Sequence, residues 1–227
     1  MAQVLVYSDP HLGLKRQANF TPTSAAAREK ESLQSLRSLL KKAKHRDQVT
    51  MCLGDFFDKA ANSEETILST LGIAALTDVI LSGNHDIPNN VDKASSLHVV
   101  SKVSPETVLF SDLKNPGFEK LPVGLTDFYF VPHVLSQNDF EKVLDAAASA
   151  AVGERYRVLC LHCNYGMPKE LMESSLVLER EKAAQLLQTF HHIWIGHEHT
   201  AKDDFDGRLK LVGSWRPNEF DKLDDKR

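Results

Sequence analysis

Asp9-Pro10-His11 and His197-Glu198-His199 each set two potential metal ligands two residues apart. In an extended segment, residues i and i+2 project to the same side, so either pair can aim both donors at one point. Three further clusters carry related chemistry: Gly54-Asp55-Phe56-Phe57-Asp58, Ser82-Gly83-Asn84-His85-Asp86 and a solitary His162. Asn84 offers a neutral carbonyl oxygen, His85 a group that can hold a proton near neutral pH, and Asp86 a carboxylate able to orient that imidazole. Carboxylate, imidazole and amide oxygen together make a ligand set for borderline transition metals. Singly these pieces are weak. Asp-x-His is common by chance, Gly, Asn and Asp are ordinary turn residues, and a lone strand-end histidine more often packs than ligates. Their joint occurrence at five strand ends is specific.

The elements that must position them can be read from periodicity. Each cluster directly follows a short apolar run: Val4 to Tyr7, Val49 to Leu53, Val79 to Leu81, Val158 to Leu161 and Ile193 to Ile195. Such runs read as buried parallel strands, and in open α/β sheets the C-terminal strand edge is where ligand sites are built. A helix is expected from Thr21-Pro22, with Thr21 as N-cap and Leu33, Leu36, Leu40 and Ala43 as its apolar stripe. The basic run Lys41, Lys42, Lys44 and Arg46 reads as a solvated helix end that suits the helix dipole, rather than a DNA contact. Further helices are expected over about 63–75, from Ser136 with Asp139 in a capping box, and near 179–190. Between 91 and 135 the pattern predicts three short strands of a second sheet, at 97–100, 106–110 and 128–131. Pro105, Pro116, Gly117, Pro122 and Gly124 would mark the turns between them. Asp206-Gly207 predicts a hairpin, and the tail from Asp221 is expected to be charged and mobile.

At 227 residues and 25.4 kDa, the chain suits one α/β domain over residues 1–227. Its 42% hydrophobic and 26% charged residues are ordinary for a globular protein. No apolar run approaches the roughly 20 residues of a membrane span, and no signal-peptide pattern opens the chain, so a cytoplasmic location without membrane association is expected. Three cysteines, Cys52, Cys160 and Cys163, fit a reduced compartment without disulfides. A formal charge of −4 gives no electrostatic sign of tight nucleic-acid binding.

From residue 4 to about 214 the chain resembles the calcineurin-like metallophosphoesterases, through Asp9-x-His11, Gly54-Asp55-x-x-Asp58, Gly83-Asn84-His85-Asp86, His162 and Gly196-His197-x-His199. The resemblance implies a four-layer α/β-β-α sandwich and a two-metal centre. Asp9, His11 and His199 would hold one ion, Asn84, His162 and His197 the other, and Asp55 would bridge them. Manganese is the expected ion, with iron, zinc, nickel or magnesium as alternatives. Two divalent ions face only two charged ligands, Asp9 and Asp55. The surplus positive charge would attract a phosphate ester and acidify a bridging water toward a nucleophilic hydroxide. His85 is the expected general acid for the departing alkoxide, with Asp86 fixing its tautomer. A ligand role for His85 is the rival reading, and Asp58 is expected to orient the loop.

The stretches Ser8 to Gly13 and Gly54 to Asp58 are most similar to the DNA-repair exonuclease branch. That branch adds a DNA-capping domain and an ATPase partner, and this chain ends short of such a cap. Phosphodiester cleavage on DNA or nucleotides is the expected activity, with no protein partner assigned. Phosphomonoester hydrolysis on proteins or small molecules is the alternative. A lipid-precursor branch usually has Arg where His85 stands, and a coat-scaffold relative of the fold has a degraded site. Here the imidazole and every ligand are intact, so an enzyme is expected. Trp215 and Arg216 are candidates for stacking on or clamping a substrate. His45, His98, His133, His191 and His192 read as background, and Cys163 as an inert thiol.

Overall fold

The computed structural model describes residues 3–14, 22–88, 95–111, 117–167 and 176–215. Strands β1 (Val4–Tyr7), β2 (Val49–Leu53), β3 (Val79–Leu81) and β4 (Val108–Phe110) form a parallel sheet in that order. Helices α1 (Pro22–Lys44), α2 (Glu64–Ala74) and α3 (Ser96–Val103) lie between them in sequence. A six-stranded sheet has the order β11 (Lys202–Asp204), β12 (Leu209–Leu211), β10 (His192–Gly196), β7 (Tyr156–His162), β6 (Thr126–Val131), β5 (Glu119–Val123). Its inner strands are parallel, and β5 and β11 pair antiparallel at the edges. With it go helices α4 (Gln137–Ala150) and α5 (Arg180–Leu186), and a short parallel pair, β8 (Asn164–Tyr165) with β9 (Val177–Leu178), follows β7.

The period of two along each strand divides the core into three layers. Met51, Leu53, Val79 and Leu81 of the first sheet meet Phe128, Phe130, Val158 and Cys160 of the second, so the sheets pack face to face. Tyr7, Cys52 and Ile80 point the other way, onto Leu36 and Leu40 of α1, Ile73 of α2 and Leu97 and Val100 of α3. Tyr129, Leu159, Leu161, Ile193 and Ile195 pack on Phe140, Val143, Leu144 and Ala147 of α4 and Ala183 and Leu186 of α5. The outcome is the expected four-layer α/β-β-α sandwich. Strands buried on both faces need apolar residues throughout, which is why those runs were legible.

The expected helix ends hold. Ser63 caps α2 by accepting from Thr66 N at 3.3 Å, and Ser136 caps α4 by accepting from Asp139 N at 3.1 Å. Three features of the middle region differ from expectation. Residues 97–100 lie in α3 rather than a strand: Leu97 and Val100 share one buried face while Val99 is exposed, a spacing of three that the β-branched run disguises. The 106–110 segment does yield β4, but it pairs with β3 in the first sheet, not the second. Pro122 lies inside β5, tolerated because an edge strand has one side without a ladder. Thr21, Pro116, Arg216 and the tail from Asp221 fall outside the described residues. No helix among the described residues is long and apolar enough to cross a membrane.

One ionic tie fastens β2 to the loop before β3. Asp78 Oδ2 accepts from Thr50 N at 2.8 Å and Thr50 Oγ1 at 3.0 Å, and Asp78 Oδ1 pairs with the Lys44 ammonium at the end of α1. Partial burial pushes the Asp78 carboxyl up, and the Lys44 and Thr50 donors pull it down further, for a net value below the ordinary one. A carboxylate depressed in the folded state adds stability that is present above its unfolded value of about 3.9 and is lost as pH falls through the folded value. Urea unfolding at pH 6 and pH 3 is therefore expected to show a smaller acid loss in Asp78→Asn than in the wild type. Equal losses would remove Asp78 from the acid response.

Candidate metal centre

Every expected ligand comes off the C-terminal end of a strand. Asp9 and His11 follow β1, Asp55 follows β2, Asn84 follows β3, His162 ends β7, and His197 and His199 follow β10. Because β3 and β7 belong to different sheets, the site lies where the two sheets' strand ends meet. The loops are stitched together by backbone: Asp9 N donates to Gly54 O at 3.1 Å, His11 N to Asp55 O at 3.0 Å and His133 N to Ser82 O at 3.0 Å. Asp9, His11, Asp55 and His197 all have positive φ, at 51°, 42°, 48° and 88°. Non-glycine residues rarely adopt that region, and such strain collects at functional sites. Two glycines make the approach possible. A Cβ on Gly54 would fall 2.1 Å from His162 Nδ1, and one on Gly83 would fall 2.2 Å from Asp55 Oδ1.

The side chains converge as two groups. Asp9, His11 and His199 present ligand atoms within 4.8 Å of one another, as do Asp55, His162 and His197. In the first group His11 Nε2 lies 3.4 Å from His199 Nε2. In the second, Asn84 Oδ1 lies 3.1 Å from His162 Nε2 and 3.0 Å from His197 Nδ1. Asp55 stands between them, with Oδ2 3.8 Å from His11 Nε2 and Oδ1 3.3 Å from His162 Nε2. The structure thus brings together the residues of both expected sets, with Asp55 between them.

Hydrogen bonds fix which ring atom faces inward. His162 Nδ1 lies 2.7 Å from the Leu53 carbonyl, which can only accept, so Nδ1 carries a proton and Nε2 is the nitrogen turned toward Asp55 and Asn84. His11 Nδ1 faces the Asp58 carboxylate at 3.6 Å, the carboxylate–histidine arrangement typical behind a metal-ligating imidazole. The residues fit divalent ions on a separate count as well. Asp9 Oδ1 is buried and has no hydrogen-bond partner among the described residues, while its Oδ2 accepts from His197 N at 3.0 Å. A buried carboxylate oxygen without a donor is costly unless a cation faces it.

Charge is distributed unevenly among the ligands. Burial pushes Asp55 up, but the His162 and His11 imidazoles pull it down much further, so it is held ionised. Burial works against charge on His162, yet Asp55 and Asp9 raise it to about 9. Burial and the neighbouring His162 drive His197 down to about 3, leaving a neutral imidazole able to ligate.

His85 and Asp86 part company. His85 is exposed at the rim, with its ring centre 4.9 Å from that of His11. Its Nδ1 donates to the Asp58 carbonyl at 2.9 Å, and its backbone N donates to Asp55 Oδ1 at 2.9 Å. The expected pairing of Asp86 with the His85 ring is not formed. Asp86 is buried and accepts from Phe56 N at 3.0 Å, Phe57 N at 2.8 Å and Gly83 N at 2.9 Å. Adjacent side chains in a turn point apart, so the carboxylate next to His85 in sequence locks two loops while Asp58 orients the imidazole. His133 was read as background, yet it is buried with its ring centre 6.5 Å from that of His162. Its place at the end of β6, on the same sheet edge as the other clusters, was the signal. Ser214 closes the floor by donating from Oγ to Asp9 O at 2.9 Å, and Trp215 N reaches Ser8 O at 2.8 Å while its side chain packs on the α1–α3 side.

The calcineurin-like phosphoesterase profile matches residues 2–203. The chain belongs to the calcineurin-like phosphoesterase family. No curated protein matches it at a significant level. Among solved structures, the chain is similar to a putative 5'-nucleotidase from Staphylococcus aureus, determined in complex with alpha-ketoglutarate. The TM-score is 0.52 at 14% identity, over 92% of this chain and 48% of that one. It is less similar to the Haemophilus influenzae NAD nucleotidase, with a TM-score of 0.45 at 11% identity, over 78% of this chain and 34% of that one. The chain therefore spans half or less of the length of these structures.

Proposed function

We propose that this phosphoesterase uses two divalent ions, manganese foremost, to hydrolyse phosphodiester bonds in nucleotides or in short or single-stranded DNA. The observation that carries the reading is the pair of neighbouring ligand groups, with Asp55 in the second and 3.8 Å from His11 of the first, and His85 exposed beside them. Asp9, His11 and His199 would hold one ion, Asn84, His162 and His197 the other, and Asp55 both. When bound, the ions supply Lewis acidity and an acidified water as nucleophile. The chain's own residues do the rest. Asn84 would ligate as a neutral amide, which would keep the charged ligands to Asp9 and Asp55 and so preserve attraction for a phosphate ester. With Nδ1–H held by the Asp58 carbonyl, the imidazolium form of His85 carries a second proton on Nε2, which it would give to the leaving oxygen, ending as the neutral Nδ1–H tautomer. Asp86 holds the His85 loop and the Asp55 loop in one register through three backbone amides.

The diester preference rests on the likeness of two motif stretches to repair nucleases. The preference for flexible strands rests on the net charge of −4, since a protein that neutralises few phosphates gains little counterion release on duplex DNA. A nucleotide monoester is the second reading, raised by the 5'-nucleotidase named for the similar fold. The test compares bis-nitrophenyl phosphate, nitrophenyl phosphate, a labelled single-stranded oligonucleotide and its duplex under manganese. Diester is expected to turn over faster than monoester, and single strand faster than duplex. A monoester cleaved faster than every diester makes the protein a phosphatase instead.

A further inference from the structure

His197 and His199 belong to different ligand groups, yet one residue, Glu198, separates them. Its side chain turns away from both groups, and Oε1 accepts from the backbone N of Tyr165 at 2.7 Å. That donor has a geometric reason to be there. Asn164 N and Gly166 N donate to Leu176 and Leu178 carbonyls across to β9, so alternation leaves Tyr165 N on the opposite edge of β8, facing Glu198. The anchor on the β8 side is itself fastened. Tyr165 Oη donates to Asp204 Oδ2 at 2.6 Å, and Asp204 also takes Arg180 Nε at 3.0 Å and Nη2 at 3.1 Å. The Arg180 guanidinium lies 4.5 Å over the Phe205 ring. Strand β8, the start of α5 and the β11–β12 hairpin thus form one braced unit, and Glu198 is its link to the ligand loop.

The loop backbone is also tethered elsewhere: His197 N donates to Asp9 Oδ2 at 3.0 Å, and Ser214 N donates to the His199 carbonyl at 3.0 Å. Between them His197 is held at φ 88°, a conformation that a non-glycine residue leaves when it is free to. We propose that Glu198 is a positioning residue that sets both ligand histidines at once by tying their loop to β8. The inference rests on the two-ion reading, because it requires His197 and His199 to serve separate ions. Outer partners of metal ligands commonly contribute roughly 10–100-fold in metal affinity. Glu198 would spread that effect over two ions, whereas loss of a single ligand weakens one.

Calorimetric titration with manganese alone, without substrate, tests it. Wild type should take up two ions. Glu198→Ala should bind both more weakly by roughly 10–100-fold each, and Glu198→Gln, which keeps an oxygen for Tyr165 N but drops the charge, should stay within about threefold of wild type. If Glu198→Ala does not fold, Glu198→Asp, one methylene too short for the contact, takes its place. Unchanged affinity in the alanine or aspartate variant overturns the proposal. So does a glutamine variant as weak as alanine, which would assign the effect to charge. A wild type that binds fewer than two ions defeats the two-ion reading and the joint action of Glu198 with it, and that result is visible before any variant is examined.

Discussion

Replacing Asp55 by alanine is expected to abolish activity and to remove the stabilisation that manganese gives the fold. The Asp55 carboxylate lies between both ligand groups, 3.8 Å from His11 Nε2 and 3.3 Å from His162 Nε2. A ligand that binds only the folded state stabilises by about 2.7 kcal/mol when present at 100 times its dissociation constant. Wild type should therefore show a manganese-dependent rise in melting temperature, and Asp55→Ala should show almost none. The substitution also leaves His162 buried without its ionic partner and removes the acceptor for His85 N. Asp55→Asn retains an oxygen for that amide, so it separates a folding defect from a binding defect. If either variant keeps the manganese-dependent rise at wild-type size, Asp55 does not bridge the ions.

His85→Ala should lower turnover by roughly 10²–10⁴-fold, the usual contribution of a positioned acid, while both ions remain bound. The reason is position: His85 contacts Asp58 and Asp55 through its Nδ1 and its backbone, and is the exposed imidazole among the site residues. The loss should be smaller on a nitrophenyl ester, whose leaving group hardly needs a proton. Loss of one ion in His85→Ala would instead make His85 a ligand, alongside the group that His11, Asp58 and His85 already form geometrically. An equal loss on activated and unactivated esters would deny it the acid role.

How much of this was legible in the sequence depends on what each motif encodes. Strand ends were legible because strands buried on both faces are apolar throughout, and the polar residue that breaks each run is the ligand itself. Local pairing was not. Asp86 follows His85 in the chain, but its carboxylate spans to Phe56 and Phe57 nearly thirty residues away, a contact that depends on how two strand ends are brought together. The positive φ of Asp9, His11, Asp55 and His197 falls on Asp and His, types that tolerate it, but only the surrounding contacts decide which of them adopt it. Glu198 carries no signal in the sequence because its partner is a backbone amide, which every residue but proline possesses. The α3 region misled for another reason. Val99 and Val100 favour strands intrinsically, and the packing of Leu97 and Val100 against the first sheet overrode that preference.

The central claim is that two ions share Asp55 at the meeting of the two sheets' strand ends. Anomalous scattering from crystals soaked in manganese tests it most directly. Two peaks are predicted, one among Asp9, His11 and His199 and one among Asn84, His162 and His197, with the Asp55 carboxylate touching both. A single peak, or peaks that leave Asp55 without a contact to one of them, would contradict it.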